Sequence, residues 1–112
     1  MIVAEVSIEP IGTGTPSYGD LVAESVKVLK GQNDVTYDIT AMGTILEGDR
    51  EKVIRLVNEM TEACFKAGAK RCLTNVRLDE RRDRPMLPME EMERQIEQKL
   101  GIAPGPRMGT RI

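Results

Sequence analysis

IVAEVSIE, residues 2–9, alternates between apolar side chains and a mixed set, and Pro10 follows it directly. A period of two is typical of a β-strand, because successive side chains point to opposite faces of a sheet. Proline cannot donate to a strand ladder, so we expect the strand to stop there. The apolar face consists of Ile2, Ala4, Val6 and Ile8, and the other face of Val3, Glu5, Ser7 and Glu9.

The pattern of the following residues extends this strand into a complete fold. Apolar residues recur at helical spacing over residues 18–29 and 53–64, and residues 71–79 alternate again. Between the two helices, residues 35–47 are predicted to form two short strands that turn near Thr40. In the order β-α-β-β-α-β, two right-handed crossovers place both helices on one face of a four-stranded antiparallel sheet. We predict an α+β ferredoxin-like sandwich.

Local signals predict where the helices begin and end. Ser17, with Asp20 three residues later, resembles a capping pair for the first helix, and Asp49 is expected to cap the second. A third helix is predicted from about residue 89 to residue 100, closed by Gly101. We therefore expect a ferredoxin-like domain over residues 1–100 and a flexible C-terminal tail over residues 101–112, which is rich in proline and glycine.

Composition limits the classes of function. The chain has 112 residues, 16 basic and 18 acidic, and a net charge of −2, which gives no footprint for nucleic acid. We expect no signal peptide and no membrane-spanning segment, and hence a cytoplasmic protein. Cys64 and Cys72 are expected to be reduced and mostly buried.

Catalysis has little support in these residues. The chain contains no histidine, so it lacks both an imidazole base and an imidazole metal ligand. Ser7 has no evident base partner, and acid–base work by Glu5 is the alternative left for an enzyme. We predict that the protein is not an enzyme and uses neither a metal nor a cofactor.

Polar and small residues occur inside the predicted strands, where a packing domain would carry aliphatics. Ser7, Asn75 and Arg77 share the face that the helices leave open, while the face of Thr44 stays undecided because its strand is apolar on both sides. Gly43 would let a ligand or another backbone approach closely. These groups either bind a small molecule or only hydrogen-bond across strands and subunits. The GTG at residues 12–14 predicts a plain turn rather than a phosphate loop.

The open face also predicts self-association. It mixes Val3, Leu73 and either Ile45 or Leu46 with Glu5, Ser7, Asn75 and Arg77. A half-apolar face on a small domain is typical of an association surface. We expect a small guest to be enclosed over this face when two copies meet.

In its ordered combination of motifs the chain resembles the thiamine-binding protein family, over roughly residues 1–100. The resembling stretches are VSIEP with GTG (residues 6–10 and 12–14), YDITAMGT with EG (37–44 and 47–48), and GAKR leading to DERRD (68–71 and 79–83).

This resemblance implies a ferredoxin-like subunit that assembles through its sheets into a homodimer or homotetramer. It implies binding of thiamine or its hydroxymethylpyrimidine moiety, without known catalysis. Hydroxyl and amide groups could satisfy the pyrimidine, Tyr37 could stack on it, and Glu5 or Glu9 could balance the thiazolium charge. The residues carried over as ligand-binding are Ser7, Thr40, Gly43, Thr44 and Asn75.

The leading hypothesis is therefore a non-enzymatic binder of thiamine or a related pyrimidine, acting in storage, delivery or sensing. The alternative is a structural or regulatory oligomerisation module that has no small-molecule ligand.

Overall fold

The computed structural model describes residues 1–103 and the backbone of residues 110 and 111. Its elements follow one another in this order: β1 (Ile2–Pro10), α1 (Gly19–Lys27) with a 3₁₀ turn (Val28–Gly31), β2 (Thr36–Ile39), β3 (Thr44–Gly48), α2 (Arg50–Lys66), β4 (Cys72–Asp79), α3 (Met89–Leu100) and β5 (Thr110–Arg111). The flexible tail stays a prediction, because residues 104–109 and 112 lie outside the described residues.

The sheet confirms the predicted ferredoxin-like topology. Its strands lie in the order β4-β1-β3-β2-β5, and each described pairing is antiparallel. Four of them form the predicted β-α-β-β-α-β unit, and the short strand β5 adds to the β2 edge. The protein is an α+β sandwich with a central β1.

The core lies between the sheet and the two helices α1 and α2. The alternation seen in the sequence places one face of β1 in this core, and its four aliphatic residues are at most 6% exposed. Burial of each of the three larger side chains, Ile2, Val6 and Ile8, contributes about 1.5–3 kcal/mol. The apolar stripe of α2 meets them, as its helical spacing predicts; its buried members are Val53, Leu56, Val57, Met60 and Cys64.

The helix starts differ from the sequence prediction in their detail. α1 begins after Tyr18, whose side chain makes no capping hydrogen bond, so the predicted pair of Ser17 and Asp20 is wrong. The Ser17 amide donates instead to Thr15 Oγ1 at 3.2 Å, inside the preceding loop. Asp49 stands at the predicted start of α2, but its backbone carbonyl, not its carboxylate, accepts from the Val53 amide.

The face of the sheet opposite α1 and α2 is mixed in character, as the sequence predicts. Leu73 is half exposed, and Glu5 pairs with Arg77 across β1 and β4. At one end of this face, Glu47 Oε2 accepts a hydrogen bond of 2.6 Å from the Met89 amide. Glu47 thereby holds the first turn of α3 against the sheet.

Candidate functional site

A gap in the sheet creates the candidate site. β1 pairs with β3 only from Ile2↔Gly48 to Val6↔Thr44, whereas its pairing with β4 continues to Pro10↔Cys72. The last four residues of β1 therefore have a strand neighbour on one side alone. On the other side lies a cavity of about 390 Å³, bounded by the β2–β3 turn and by α1. Small-molecule sites commonly enclose about 300–1,000 Å³, so this volume suits a small ligand.

The gap explains why residues from both faces of β1 line one cavity. Val6 and Ile8 reach it from the core side, and Ser7 and Glu9 reach it from the open side. The other lining residues come from α1, from the β2–β3 hairpin and from α2: Tyr18, Val22, Ser25, Val26, Ile39, Thr40, Ala41, Met42, Gly43, Thr44 and Met60.

The β2–β3 turn is held tightly against β1 because residue 43 has no side chain. A Cβ atom on Gly43 would lie 2.8 Å from the backbone oxygen of Val6, closer than real Cβ contacts allow. The turn is closed by Thr40, whose amide and hydroxyl both donate to the Gly43 carbonyl, at 2.9 and 2.7 Å. Gly43 and Thr40 thus fix the cavity wall through the backbone.

Ser25 is a buried polar residue at the cavity that lacks a hydrogen-bond partner in the described part of the chain. It lies on α1, is 1% exposed, and its Oγ has no hydrogen-bond partner among the described residues. A buried hydroxyl left unpaired costs about 1–3 kcal/mol. Since Ser25 is one of the residues that line the cavity, a polar atom of a bound ligand is a candidate for the missing partner.

Sequence reasoning did not select Ser25, although a signal was present. It follows Leu21 by four residues and precedes Leu29 by four, so it interrupts the apolar stripe of α1 with a hydroxyl. A polar residue in a buried stripe needs a partner, and the described residues offer none to Ser25.

Thr44 supplies a second buried hydroxyl. It is 4% exposed and stands opposite Val6 in the register, which places it on the core side of the sheet. This settles the face that the sequence left undecided.

Apolar and aromatic groups form the remaining walls. Val22, Val26, Ile39 and Met60 contribute aliphatic and thioether surface, and Met42 is 85% exposed. The half-exposed Tyr18 ring also borders the cavity. By contrast, Tyr37, predicted as a stacking wall, is in the core and stands opposite Leu46.

The structure divides the predicted site residues into two groups. Ser7, Thr40, Gly43 and Thr44 line the cavity, together with Glu9, which the resemblance offered as a counter-charge. Glu5, Tyr37 and Asn75 do not. Asn75 is the β4 partner of Ser7, and Glu5 Oε1 lies 3.6 Å from Arg77 Nη1 on the open face.

The two cysteines lie together away from the cavity. Cys64 is buried, and burial, followed by the neighbouring Cys64 thiol, raises the pKa of Cys72 to about 11. Cys72 therefore stays a neutral thiol near pH 7, which is the unreactive form.

Two further features of the described residues concern metal binding and membranes. Across the described part of the chain, no group of three or more Cys, Asp or Glu side chains is placed to hold a metal ion. Within the same residues, no helix combines the length and the apolar character that crossing a membrane requires.

Comparison with known proteins identifies the family. The sequence pattern of the family described as "Thiamine-binding protein" matches residues 4–98. The chain is 39% identical over 87 residues to the UPF0045 protein YqgV of Bacillus subtilis, covering 75% of this chain and 84% of that one.

Solved structures of similar proteins have the same fold. The hypothetical protein MJ1052 of Methanocaldococcus jannaschii superimposes with a TM-score of 0.77 at 30% identity, over 87% of this chain and 96% of that one. A Thermotoga maritima protein named as a candidate thiamine biosynthesis or salvage protein gives a TM-score of 0.70, over 85% of this chain and 97% of that one. Its identity is 16%, so it supports the fold alone. With a family match that spans almost the whole described domain, the chain belongs to the thiamine-binding protein family.

Proposed function

We propose that this protein binds thiamine or a related pyrimidine, such as hydroxymethylpyrimidine, in the cavity beside β1, and that it does so without catalysis. The observation that carries the proposal is the buried, unpaired hydroxyl of Ser25 at the cavity wall. Membership in the thiamine-binding protein family indicates which ligand to expect.

The cavity groups suit the chemistry of such a ligand. An aminopyrimidine presents both donors and acceptors along its edge, and a hydroxyl can act as either. Ser25, Thr44 and Ser7 supply three such hydroxyls around one cavity. Glu9 offers a negative charge for the thiazolium, and the Tyr18 ring offers a flat surface for a cationic or aromatic ring.

The non-enzymatic part of the proposal has its own support. The described lining residues include hydroxyls and a single carboxylate but no histidine, lysine or cysteine, so the usual partner base for a hydroxyl nucleophile and the stronger nucleophiles are missing from this lining. Glu5, the alternative acid–base residue, lies outside this lining and is paired with Arg77. We accordingly propose storage, delivery or sensing of the ligand in the cytosol, where thiols such as Cys64 and Cys72 stay reduced.

A calorimetric titration with thiamine, hydroxymethylpyrimidine and the isolated hydroxyethylthiazole moiety tests this function. We expect saturable binding of thiamine and of hydroxymethylpyrimidine, and a weak response to the thiazole, because the polar cavity groups match the pyrimidine edge. If neither pyrimidine gives a saturable heat, the proposed function is wrong.

A second candidate function is an oligomerisation module without a ligand. It is favoured by the open sheet face, where Leu73 is 50% exposed beside the Glu5–Arg77 pair. In that case Asn75→Ala, on the open face, should weaken self-association, and no pyrimidine should bind. We propose that both properties belong to the protein, with self-association through sheet faces into a dimer or tetramer accompanying ligand binding.

A further inference from the structure

The charge of the cavity bears on which chemical form of the ligand it accepts. Among the fifteen described residues that line it, Glu9 alone carries a charge. The other fourteen are apolar or present hydroxyl and backbone groups. No lysine or arginine is among these lining residues, so the charge on this lining is negative.

A phosphate ester would need the opposite arrangement. Proteins bind phosphate through arginine, lysine or several free backbone amides. The amides at the start of α1 are the nearest backbone candidates, since Tyr18 borders the cavity there. However, Asp20 occupies the first turn of that helix, and its carboxylate opposes an anion at this position.

The loop before α1 offers no threonine side-chain donor that could bind a phosphate in the cavity. Its threonine hydroxyls are engaged within the loop, since Thr13 Oγ1 donates to the Thr15 carbonyl at 2.6 Å and Thr15 Oγ1 accepts from the Ser17 amide. Neither threonine belongs to the cavity lining. A phosphoryl group would thus enter a space that holds Glu9 and offers it no cation.

We infer that the cavity selects the unphosphorylated ligand and discriminates against its phosphate esters, with Glu9 as the residue that sets this selectivity. The inference rests on the proposed function. The Glu9 carboxylate attracts the thiazolium of thiamine and repels a phosphoryl group attached to the same molecule. Neutral hydroxymethylpyrimidine gains little from this carboxylate and loses little when its charge is removed.

The test compares thiamine, thiamine monophosphate, thiamine diphosphate and hydroxymethylpyrimidine by calorimetry at low ionic strength. For the wild-type protein we expect each phosphate ester to bind at least roughly tenfold more weakly than thiamine, because its added charge faces an unscreened carboxylate. In Glu9→Gln, thiamine should bind about 2–5-fold more weakly, the upper range for the loss of one partly exposed ion pair. The phosphate esters should bind no more weakly than before, and hydroxymethylpyrimidine should be nearly unchanged.

Glu5→Gln is the matched control. It removes the same charge from the same face of the same strand, but at a position outside the cavity lining and next to Arg77, so the affinity ratio of thiamine to its diphosphate should stay at the wild-type value. Equal wild-type affinity for thiamine and thiamine diphosphate would overturn the inference and leave the proposed function standing. An unchanged ratio in Glu9→Gln would also overturn it. Failure of both pyrimidines to bind would remove the proposed function itself.

Discussion

At the scale of single residues, the candidate site is marked by Ser25, whose hydroxyl is buried without a partner among the described residues. Folded proteins pair nearly all of their buried polar groups, because an unpaired one costs stability. Ser25 departs from this rule next to a cavity, which is where a ligand could restore the missing hydrogen bond. Under the proposed function, this unmet hydrogen bond is the one that the ligand completes.

Gly43→Ala tests the close approach of the β2–β3 turn to β1. The added methyl group would lie 2.8 Å from the Val6 carbonyl oxygen, so the turn must move outward. We expect a loss of about 1–3 kcal/mol in the free energy of unfolding, the usual cost of overpacking, together with weaker ligand binding. Urea denaturation measures the first effect.

Gly31→Ala serves as the control for this substitution. A Cβ atom on Gly31 meets nothing within 4 Å, so this variant should be neutral or slightly more stable. If Gly43→Ala were as stable as Gly31→Ala, the turn would not be held against β1 in the way described.

At the scale of elements, a hydrogen bond to the sheet holds the start of α3. Its first residue follows Pro88, which has no side-chain cap to offer, and the Met89 amide donates to Glu47 Oε2 on β3. A carboxylate at a helix N-terminus accepts a hydrogen bond from a free amide and interacts favourably with the positive end of the helix dipole. Glu47 thus acts as a cap supplied by another element.

Glu47→Ala should loosen the first turn of α3. We expect the stability of this turn to fall by about 0.5–2 kcal/mol, which is typical for the removal of a helix cap. The amides near Met89 should then exchange their hydrogens faster. Glu51→Ala, on the exposed first turn of α2, should leave those amides unchanged. Unaltered exchange in Glu47→Ala would contradict the role given to this carboxylate.

At the scale of the whole molecule, the open sheet face should determine the oligomeric state. It carries Leu73, which is 50% exposed, in a setting of mixed polar and apolar groups. Leu73→Glu would place a charge in the proposed contact, and we expect the apparent mass from light scattering to fall toward that of a single chain. Ile54→Glu, on the exposed side of α2, is the control. A monomeric wild-type protein would show that no such contact exists.

Much of this molecule can be predicted from its sequence, and the limits have physical causes. Strict alternation in β1 and helical spacing in α2 are enough for the fold, because one face of each element is buried. The face of Thr44 could not be predicted, since Ile45 and Leu46 are both apolar and the register with Val6 decides it. The pairing gap beside β1 could not be predicted either, because it depends on where β3 begins, at Thr44. Without knowledge of that gap, the cavity could not be predicted, although Ser25 stands out in the sequence as a hydroxyl in an apolar stripe.

The most direct test of the central claim is a thiamine titration of the wild-type protein, Ser25→Ala and Ser17→Ala, combined with their thermal unfolding. Ser25→Ala removes an unpaired buried hydroxyl, so it should be as stable as the wild type or more stable, yet bind thiamine about 5–30-fold more weakly. Ser17→Ala, in the exposed loop, should change neither property. If Ser25→Ala binds thiamine as tightly as the wild-type protein, the cavity beside β1 is not the site described.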